Sequence, residues 1–475
     1  MKAQEPDWHF HFGQSGEYFF VFDLQMDQDD NVYVLAMIPP GTDIDPGPEE
    51  MILEGESSRN RAVLKFRPDG SIVWGKSIGN FSAQLRVNKE GEIILGGAIF
   101  EDTQIDGQTL TSKGASDFCL VKLSSEGDLQ WGFTVGSEGD ESLRDLALDK
   151  QGNIYLYGEF MGDMDVDPSE ATVEIENKGY RDVVLLSYSQ EGKLNFESHF
   201  GSRSNEYPTS MSLDHQGMIH IVGSFLYDFQ MPVMGENYLL RKKGLSTMFW
   251  ACVDQEGEIK WVKNAGGPGF ANGGYLKRAP DSSFWLLSSF TREADLAFEG
   301  SSDILKSTSE DAPDLVLAHY DTAQNLLKVR QFRSESHAEI SDFSLTKDGR
   351  IYICGNFRAE LEIDWTAEAT SIKADTLWDG FVMGLRPEDQ SIFWLKQLQG
   401  PDGENISAVR EDREGNIYLG GSYMANSTFD PEGIQLELDN SGFYDALLMR
   451  FPAVVPQEKP EKKDNKKKKK RRRQN

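Results

Sequence analysis

The sequence predicts an all-β fold in which one structural unit is repeated seven times. An aromatic residue, once replaced by valine, recurs about every 65 residues, at Trp8, Trp74, Trp131, Phe196, Trp261, Val329 and Trp394. A turn of the type DxxGN followed by β-branched and aromatic residues recurs in step with it, as in 149–160, and so does an apolar stretch such as 182–188. With the segment before each DxxG turn, these features give four short strands per repeat, which is typical of a β-propeller blade.

The DxxGN turn and the strand after it predict a hairpin. Aspartate, glycine and asparagine tolerate left-handed backbone angles, and the apolar run that follows is suited to a strand packed on both faces. The residue six positions after the turn glycine is small in every repeat, which indicates that another group approaches the backbone closely at that position. These small residues are Ala36, Gly97, Gly158, Gly223, Ser288, Gly355 and Gly421.

The two ends of the repeat region complement each other. Residues 8–12 form a fourth strand that lacks its own repeat, and the seventh repeat ends at Phe451 after its third strand. We expect these pieces to pair and so to leave no free sheet edge. The prediction is an all-β, seven-bladed β-propeller of four-stranded antiparallel blades over residues 8–453, with 1–7 as an N-terminal extension and 454–475 as a disordered basic tail.

The repeats resemble the bacterial β-propeller repeat family labelled SBBP. The similarity lies in the turn-strand signature of 149–160, the acidic DVDP segment of 165–168, the strand 182–188 and the GxxxW rhythm, and it extends over about residues 8–451. The resemblance implies a propeller in a secreted or cell-envelope protein of Gram-negative bacteria. It implies no activity.

The charge distribution separates the chain into two parts. The chain carries 48 Lys and Arg against 78 Asp and Glu, a net charge of −30, and the last 18 residues contain 11 basic and 3 acidic side chains, which leaves −38 for residues 1–457. An acidic body argues against nucleic acid as its partner. No apolar run reaches the ~18 residues of a membrane-spanning helix, and the N-terminus lacks a secretory leader, so the predicted extracytoplasmic location requires a trimmed leader or a missed upstream start.

The basic tail is a candidate tether. A block of like charges does not pack into a core, so we expect it to be disordered. Near an anionic lipid surface each basic residue contributes about 1 kcal/mol, and an acidic protein is the alternative target. A solubilising role remains open. The candidate binding residues are Lys466, Lys467, Lys468, Lys469, Lys470, Arg471, Arg472 and Arg473.

Two groups of acidic residues are candidate sites. Paired carboxylates in the loops could hold Ca²⁺, although an Asx turn before proline explains the same pattern. These candidates are Asp43, Asp45, Asp165, Asp167 and Asp430. Glu141, Glu206 and Glu404 each precede a turn aspartate by eight residues, and we expect them at the channel mouth, where they bind a cation or a basic partner or hydrogen-bond to a neighbouring blade.

Neither the cysteines nor the histidines indicate a catalytic or metal centre. Cys119, Cys252 and Cys354 are odd in number and widely spaced, which favours buried free thiols. His9 and His11 share a strand face, but alternation with phenylalanine explains that spacing. Segment 124–131 resembles the Asp-box turn of sialidases, and the GxxxW rhythm is similar to that of quinone-dependent dehydrogenases, yet the further residues of either activity are missing.

The expected function is therefore a non-catalytic scaffold for protein interactions, in an envelope complex. The long loops 161–181 and 226–246 are its expected contact surface. A glycan- or calcium-binding module is the alternative, and a hydrolase or lyase is less favoured. No cofactor other than possible calcium is expected.

Overall fold

Seven four-stranded antiparallel sheets surround a central axis in a computed structural model of the chain. The structure describes residues 5–55, 57, 59–298, 303–334, 336–363, 370–430, 433 and 435–454. Within these ranges the chain forms strands and turns and no helix, and therefore none long and apolar enough to cross a membrane. The predicted fold class is confirmed.

Each blade consists of four strands, counted outward from the axis. The first strands are Phe20–Met26, Phe81–Val87, Ser142–Leu148, Glu206–Leu213, Ala271–Arg278, Ala338–Leu345 and Glu404–Glu411. The second strands are Val32–Met37, Ile93–Ile99, Ile154–Phe160, Ile219–Phe225, Phe284–Phe290, Ile351–Phe357 and Ile417–Tyr423. The third strands are Arg61–Phe66, Asp117–Leu123, Asp182–Tyr188, Thr247–Val253, Asp314–Tyr320, Asp379–Leu385 and Asp445–Phe451. The fourth strands are Ile72–Gly79, Leu129–Val135, Leu194–Phe200, Ile259–Ala265, Leu326–Ser334, Ile392–Gln399 and Trp8–Phe12.

The last fourth strand closes the ring as predicted. Trp8–Phe12 pairs antiparallel with Asp445–Phe451, with Trp8 opposite Arg450 and Phe12 opposite Ala446. The seventh blade is thus assembled from both ends of the repeat region. This pairing removes a sheet edge that would otherwise be exposed.

The connections between second and third strands contain short hairpins in six blades. Their strands are Thr103–Ile105 with Gln108–Leu110, Met164–Asp165 with Glu174–Ile175, Phe229–Val233 with Glu236–Leu240, Glu293–Ala294 with Leu305–Lys306, Glu360–Ile363 with Thr370–Lys373, and Ser427–Phe429 with Leu436–Leu438. Two of them extend the preceding blade, since Phe332 pairs with Ile363 and Leu398 with Phe429. The two long connections expected at 161–181 and 226–246 are present, and each contains such a hairpin.

The small residue of each second strand is explained by the first strand of the same blade. A Cβ on Gly97 would lie 1.8 Å from the Ser82 carbonyl oxygen, and one on Gly355 would lie 2.0 Å from that of Glu339. The expected close approach is therefore confirmed, and the approaching group is backbone. Apolar side chains pack on both sides of these strands, which are almost entirely buried.

The DxxGN turns are held by their aspartate. Asp149 Oδ1 accepts the backbone N–H groups of Gln151 and Asn153, at 2.9 and 2.8 Å. Its Oδ2 accepts the Asn153 amide at 2.7 Å and the Tyr155 hydroxyl at 3.1 Å. Gly152 has a φ of 85°, which favours glycine. The residues of the DxxGN signature and the following tyrosine thus stabilise a single turn.

The marker aromatic joins neighbouring blades in several repeats. The Trp74 indole N–H donates to the Ser125 carbonyl at 3.2 Å, in the turn between the third and fourth strands of the next blade. A Cβ on Gly127 of that turn would lie 3.2 Å from the indole ring. Trp131 likewise donates to Gln190 at 3.3 Å. The GxxxW rhythm therefore records blade-to-blade packing.

The propeller has two different faces. We call the face with the turns between first and second strands and between third and fourth strands the lower face; 149–153 and 189–193 are examples. The upper face carries the connections between second and third strands and the links from one blade to the next, such as 161–181 and 201–205.

Candidate functional site

Exposed apolar side chains gather on the upper face. Among the described residues fifteen large apolar side chains are exposed, and fourteen of them lie in upper-face connections. The exception is Leu327, in the fourth strand of the fifth blade. The fourteen are Tyr18, Ile52, Phe100, Tyr180, Tyr227, Met234, Tyr238, Leu239, Leu245, Phe270, Ile304, Leu377, Met424 and Phe443. One of them, Met234, is at a hairpin tip that reaches the Ile259 carbonyl at the lower end of its blade. Exposed apolar side chains gathered in this way are typical of an interaction site.

Four of these side chains occupy the same position in different repeats, two residues before the third strand. Tyr180, Leu245, Leu377 and Phe443 are 63%, 46%, 49% and 50% exposed. In the third blade, Arg181 pairs by backbone with Asn205 of the next link and Asp182 is fully buried. The residue before them is therefore left facing solvent. The sequence contains a repeated pattern for these positions: a small residue, a large apolar residue, any residue and then the third strand. Sequence reasoning did not recognise it as a sign of exposed apolar residues.

An aromatic cluster marks the junction of the seventh and first blades. Tyr18 stacks on Phe443 with ring centroids 5.1 Å apart, and Phe20 lies 4.7 Å from Tyr444. Tyr18 and Tyr444 also pair by backbone across the junction. The exposed rings of Tyr18 and Phe443 thus sit on a rigid support.

A groove between the third and fourth blades combines apolar and basic groups. This blade 3–4 groove encloses about 980 Å³ and is lined by Lys178, Arg203, Tyr227, Phe229 and Leu239, among others. The Lys242 ammonium lies 5.2 Å from the Tyr227 ring centroid. Within the described part of the chain, the exposed Arg203 side chain makes no hydrogen bond or ion pair. The groove therefore suits an apolar ligand that also carries negative charge.

The structure places Glu141, Glu206 and Glu404 away from the expected channel mouth. All three are buried, at 1%, 0% and 1% exposed, between adjacent blades. Glu206 accepts hydrogen bonds from the backbone N–H and the hydroxyl of Ser202, at 2.9 and 2.6 Å. The expected alternative was hydrogen bonding to the backbone of the neighbouring blade. The described carboxylate bonds are more local, since Glu141 likewise accepts from Ser137 in the link before its strand and Glu404 accepts from Ser427 of its own blade. Burial leaves them no exposed surface for a partner.

Each of these glutamates lies beside the buried aspartate that begins a third strand of the preceding blade. Asp117 Oδ1 and Glu141 Oε2 lie 2.0 and 2.7 Å from the point where a Cβ on Gly136 would sit. Asp117 Oδ1 and Asp182 Oδ1 are buried and have no hydrogen-bond partner. The recurring glycine at the end of the fourth strand is thus required by the carboxylate that fills the space of its side chain.

Burial raises the pKa of these glutamates. The pKa of Glu141 and that of Glu206 rise to about 7, and that of Glu404 rises to about 8. The charge of the neighbouring aspartate adds to the effect of burial in each pair. These three glutamates therefore take up or release a proton near neutral pH.

The acidic loop residues act as local caps. Asp43 Oδ1 accepts the N–H groups of Asp45 and Met51 at 3.1 and 2.9 Å. Asp165 Oδ1 accepts those of Asp167 and Val173 in the same way, at 3.1 and 2.9 Å. Asp45 and Asp167 cap N–H groups further along, and Asp430 pairs with Lys396. Within the described ranges, no group of three or more His, Cys, Asp or Glu could hold a metal ion.

Two further predictions concern the cysteines and the basic tail. Cys119, Cys252 and Cys354 are free and buried, as expected. The tail residues 466–473 lie outside the described residues.

Charged residues of the first strands line the channel, and sequence analysis did not single them out. Arg86 bridges Asp23 and Asp145, at 3.3 and 3.1 Å. Arg410 bridges Asp23, at 3.0 Å, and Asp342. These links tie five of the seven blades together across the axis. In the sequence, these residues appear only as charged residues on the first strands. They recur in only some repeats, so one sequence shows no regular pattern for them.

The fold and surface define a seven-bladed β-propeller with an apolar upper face. No family model matches the chain, so membership of the SBBP family stays a prediction. The chain is 25% identical over 208 residues to the regulatory protein FlaEY of Caulobacter vibrioides. That match covers 41% of this chain and 21% of the relative, so the chain spans about a fifth of the length of FlaEY.

Solved structures give only distant likenesses. A protein of unknown function from Bacteroides caccae is 8% identical with a TM-score of 0.35, and the match covers 72% of this chain and 91% of that one. A glycoside hydrolase of family 32 from Bifidobacterium adolescentis is 10% identical with a TM-score of 0.28, over 96% and 80% of the two chains. At such scores the likeness supports no inference about activity.

Proposed function

We propose that this protein is a non-catalytic interaction platform of the bacterial cell envelope or exterior, which binds a partner protein on its upper face. The observation that carries the proposal is that fourteen of the fifteen exposed large apolar side chains lie in connections that start and end on that face. The envelope location follows from the sequence resemblance. The basic tail provides a second attachment, to an anionic surface or an acidic partner.

The blade 3–4 groove is the proposed centre of binding. Tyr227 and Leu239 line it, the exposed Tyr180 lies beside its lining residue Ser204, and Arg203 and Lys242 supply positive charge. Aromatic anchors in a groove with charge at its edge are typical of binding hot spots. The partner that fits is a protein segment with apolar anchors flanked by acidic residues.

The test is purification of the tagged full-length chain from its native cells, with every stoichiometric companion identified. The double variant Tyr180→Ser with Leu245→Ser removes two exposed apolar groups, and Leu327→Ser is the matched control because Leu327 is equally exposed outside the upper face. We expect the double variant to lose the companion and the control to keep it. A companion retained by both variants contradicts the proposal, and so does the absence of any companion.

A chain ending at residue 457 then separates the two attachments. If the tail tethers the protein to an anionic surface, the shortened chain keeps its partner but leaves the membrane or envelope fraction. If the partner is lost as well, the tail takes part in the protein contact itself.

A further inference from the structure

The channel is basic inside an acidic protein. The cavity at its centre encloses about 550 Å³, and its charged lining consists of Arg86, Arg144, Lys277, Arg278 and Arg410 against Asp23, Asp145 and Asp342. Five basic side chains thus face three acidic ones in a chain whose net charge is −30, and of the five, among the described residues, only Arg144 has an ion pair with a carboxylate outside the lining, that of Glu159 at 2.8 Å. Positive charge concentrated in a cleft attracts anions.

The ion pairs of the channel form a row of alternating charges and not a closed ring. The row ends at the third and sixth blades, and the fourth and fifth blades lie in the gap between its ends. It runs from Asp145 through Arg86, Asp23 and Arg410 to Asp342. Between its ends, the fourth blade contributes Ser210, whose hydroxyl donates to Asp145 at 2.9 Å. The fifth blade contributes the ammonium group of Lys277.

Lys277 does not close the ring. Among the described residues, its ammonium group makes no hydrogen bond and no ion pair, although Asp145 and Asp342 are close enough to act on it electrostatically. The two arginines, by contrast, each hold two carboxylates. Deep in the channel, Lys277 therefore presents three N–H donors to the cavity.

Arg278 lines the same cavity, and one of its donors is buried without a partner among the described residues. Arg278 bonds Ser282 and His215 through Nη2, at 2.6 and 3.1 Å, but its buried Nε has no partner in the part of the chain that is described. An unsatisfied buried donor costs about 1 to 3 kcal/mol unless a ligand or water accepts its hydrogen bond. The Arg278 Nε has no surface open to the cavity, so the donor that a ligand can reach is the Lys277 ammonium group. The three nearby carboxylates already accept other hydrogen bonds.

We infer that the channel is a binding site for a small anion bearing carboxylate or phosphate oxygens, which Lys277 receives at the gap between the fourth and fifth blades. A cavity of this size holds a small metabolite rather than a protein segment. The site is separate from the upper face and does not depend on the proposed platform function.

The test is calorimetric titration of the full chain with two probes, inorganic phosphate and citrate, at up to about 10 mM, which detects dissociation constants of ~1 mM. Lys277→Met keeps the length of the side chain without its charge, and Lys277→Arg keeps the charge. Lys193→Met is the control, since Lys193 is exposed on a lower-face turn. We expect binding of at least one probe that weakens tenfold or more in Lys277→Met and persists in the other two variants.

A purely structural role for Lys277 gives a different result. If the lysine only balances the charges of Asp145 and Asp342, Lys277→Met lowers the melting temperature of the ligand-free protein and leaves probe binding unchanged. We expect instead an equal or higher melting temperature, because the substitution removes an unpaired charge. Binding retained by Lys277→Met overturns the inference, as does no binding of either probe to the unaltered protein.

Discussion

The same repeats build the lower and upper faces of the propeller, but the two faces differ in the length of their connections and in the side chains that these expose. On the lower face, short turns are closed by aspartate or serine side chains, glycines with positive φ and the indoles of the preceding blade. On the upper face, a buried layer of paired carboxylates lies beneath long connections with exposed apolar side chains. Residues of the lower face are thus explained by folding, whereas neither burial nor hydrogen bonding accounts for exposed upper-face side chains such as Tyr180 and Leu245.

The largest effect is expected from Gly201→Ala in the buried layer of the upper face. A Cβ at this position would lie 2.1 Å from the carboxyl carbon of Asp182, which is fully buried and held by the Lys178 N–H at 2.6 Å. We expect a loss of unfolding free energy of about 3 kcal/mol or more, measured by urea denaturation.

Gly132→Ala is the control for that measurement. Its Cβ would meet only side-chain atoms, the nearest at 3.3 Å. We expect a change within about 1 kcal/mol. Equal losses in the two variants would show that the space beside Asp182 is not filled as described.

The next effect is expected from Asp149→Ala on the lower face. This substitution removes the acceptor of four hydrogen bonds that hold one turn and Tyr155. We expect a loss of about 2 to 3 kcal/mol in the same measurement, and a change within about 0.5 kcal/mol for the exposed neighbour in Lys150→Ala. A small loss for Asp149→Ala would contradict the view that side chains hold the lower turns.

We expect the stability of the folded chain to depend on pH through the buried carboxyl groups of the upper face, and not through the exposed glutamates of the lower face. Because burial raises the pKa of Glu206 to about 7, the folded chain holds a proton that the unfolded chain releases above its ordinary pKa of 4.5. The contribution to stability is therefore full below about pH 4.5 and is lost as the pH rises through about 7. We expect Glu206→Gln to remove a decline on the order of 2 kcal/mol between about pH 5 and 8.

Melting curves across this pH range check the prediction. Glu256→Gln is the control, since Glu256 is exposed on a lower-face turn. The control should keep the slope of the unaltered protein. Glu141 and Glu404 keep their share of the slope in Glu206→Gln. A slope as steep as that of the unaltered protein would show that the Glu206 carboxyl group is ionised throughout the range.

The smallest effect on stability is expected where the proposed effect on binding is largest. Tyr180 and Leu245 are exposed at 63% and 46%, so their replacement by serine should change the unfolding free energy by less than about 0.5 kcal/mol each. Urea denaturation of the two variants measures this directly. A loss above 1 kcal/mol in either variant would show that the side chain supports the fold, and would weaken its assignment to binding.

The sequence predicted the fold well because local chemistry determines most of it. The DxxGN turn, the marker aromatic and the buried second strand each act within one repeat or between neighbours, so their spacing reveals seven blades and even the closure of the ring by Trp8–Phe12. The site was predicted less well. Glu141 was expected at the channel mouth, but the buried Asp117 and the neighbouring blade surround it.

The exposed apolar residues and the channel charges escaped prediction for physical reasons. Tyr180 and Leu245 resemble core residues in composition, and only the direction of the chain before the third strand exposes them. Asp23 and Arg410 are 387 residues apart and meet only when the ring closes. Contacts of that kind depend on the whole architecture, and one sequence shows no spacing for them.

The central claim is that the upper face is the interaction face, and hydroxyl-radical labelling tests it most directly. The full-length chain is labelled once in extracts of its native cells and once after purification to homogeneity, and the modification of each exposed side chain is compared by mass spectrometry. The account predicts protection in the extract at Tyr180, Tyr227, Leu245 and Phe443, with Leu327 labelled equally in both samples. Protection of Leu327 or of the lower-face turns, with the upper-face side chains labelled equally in both samples, would contradict it.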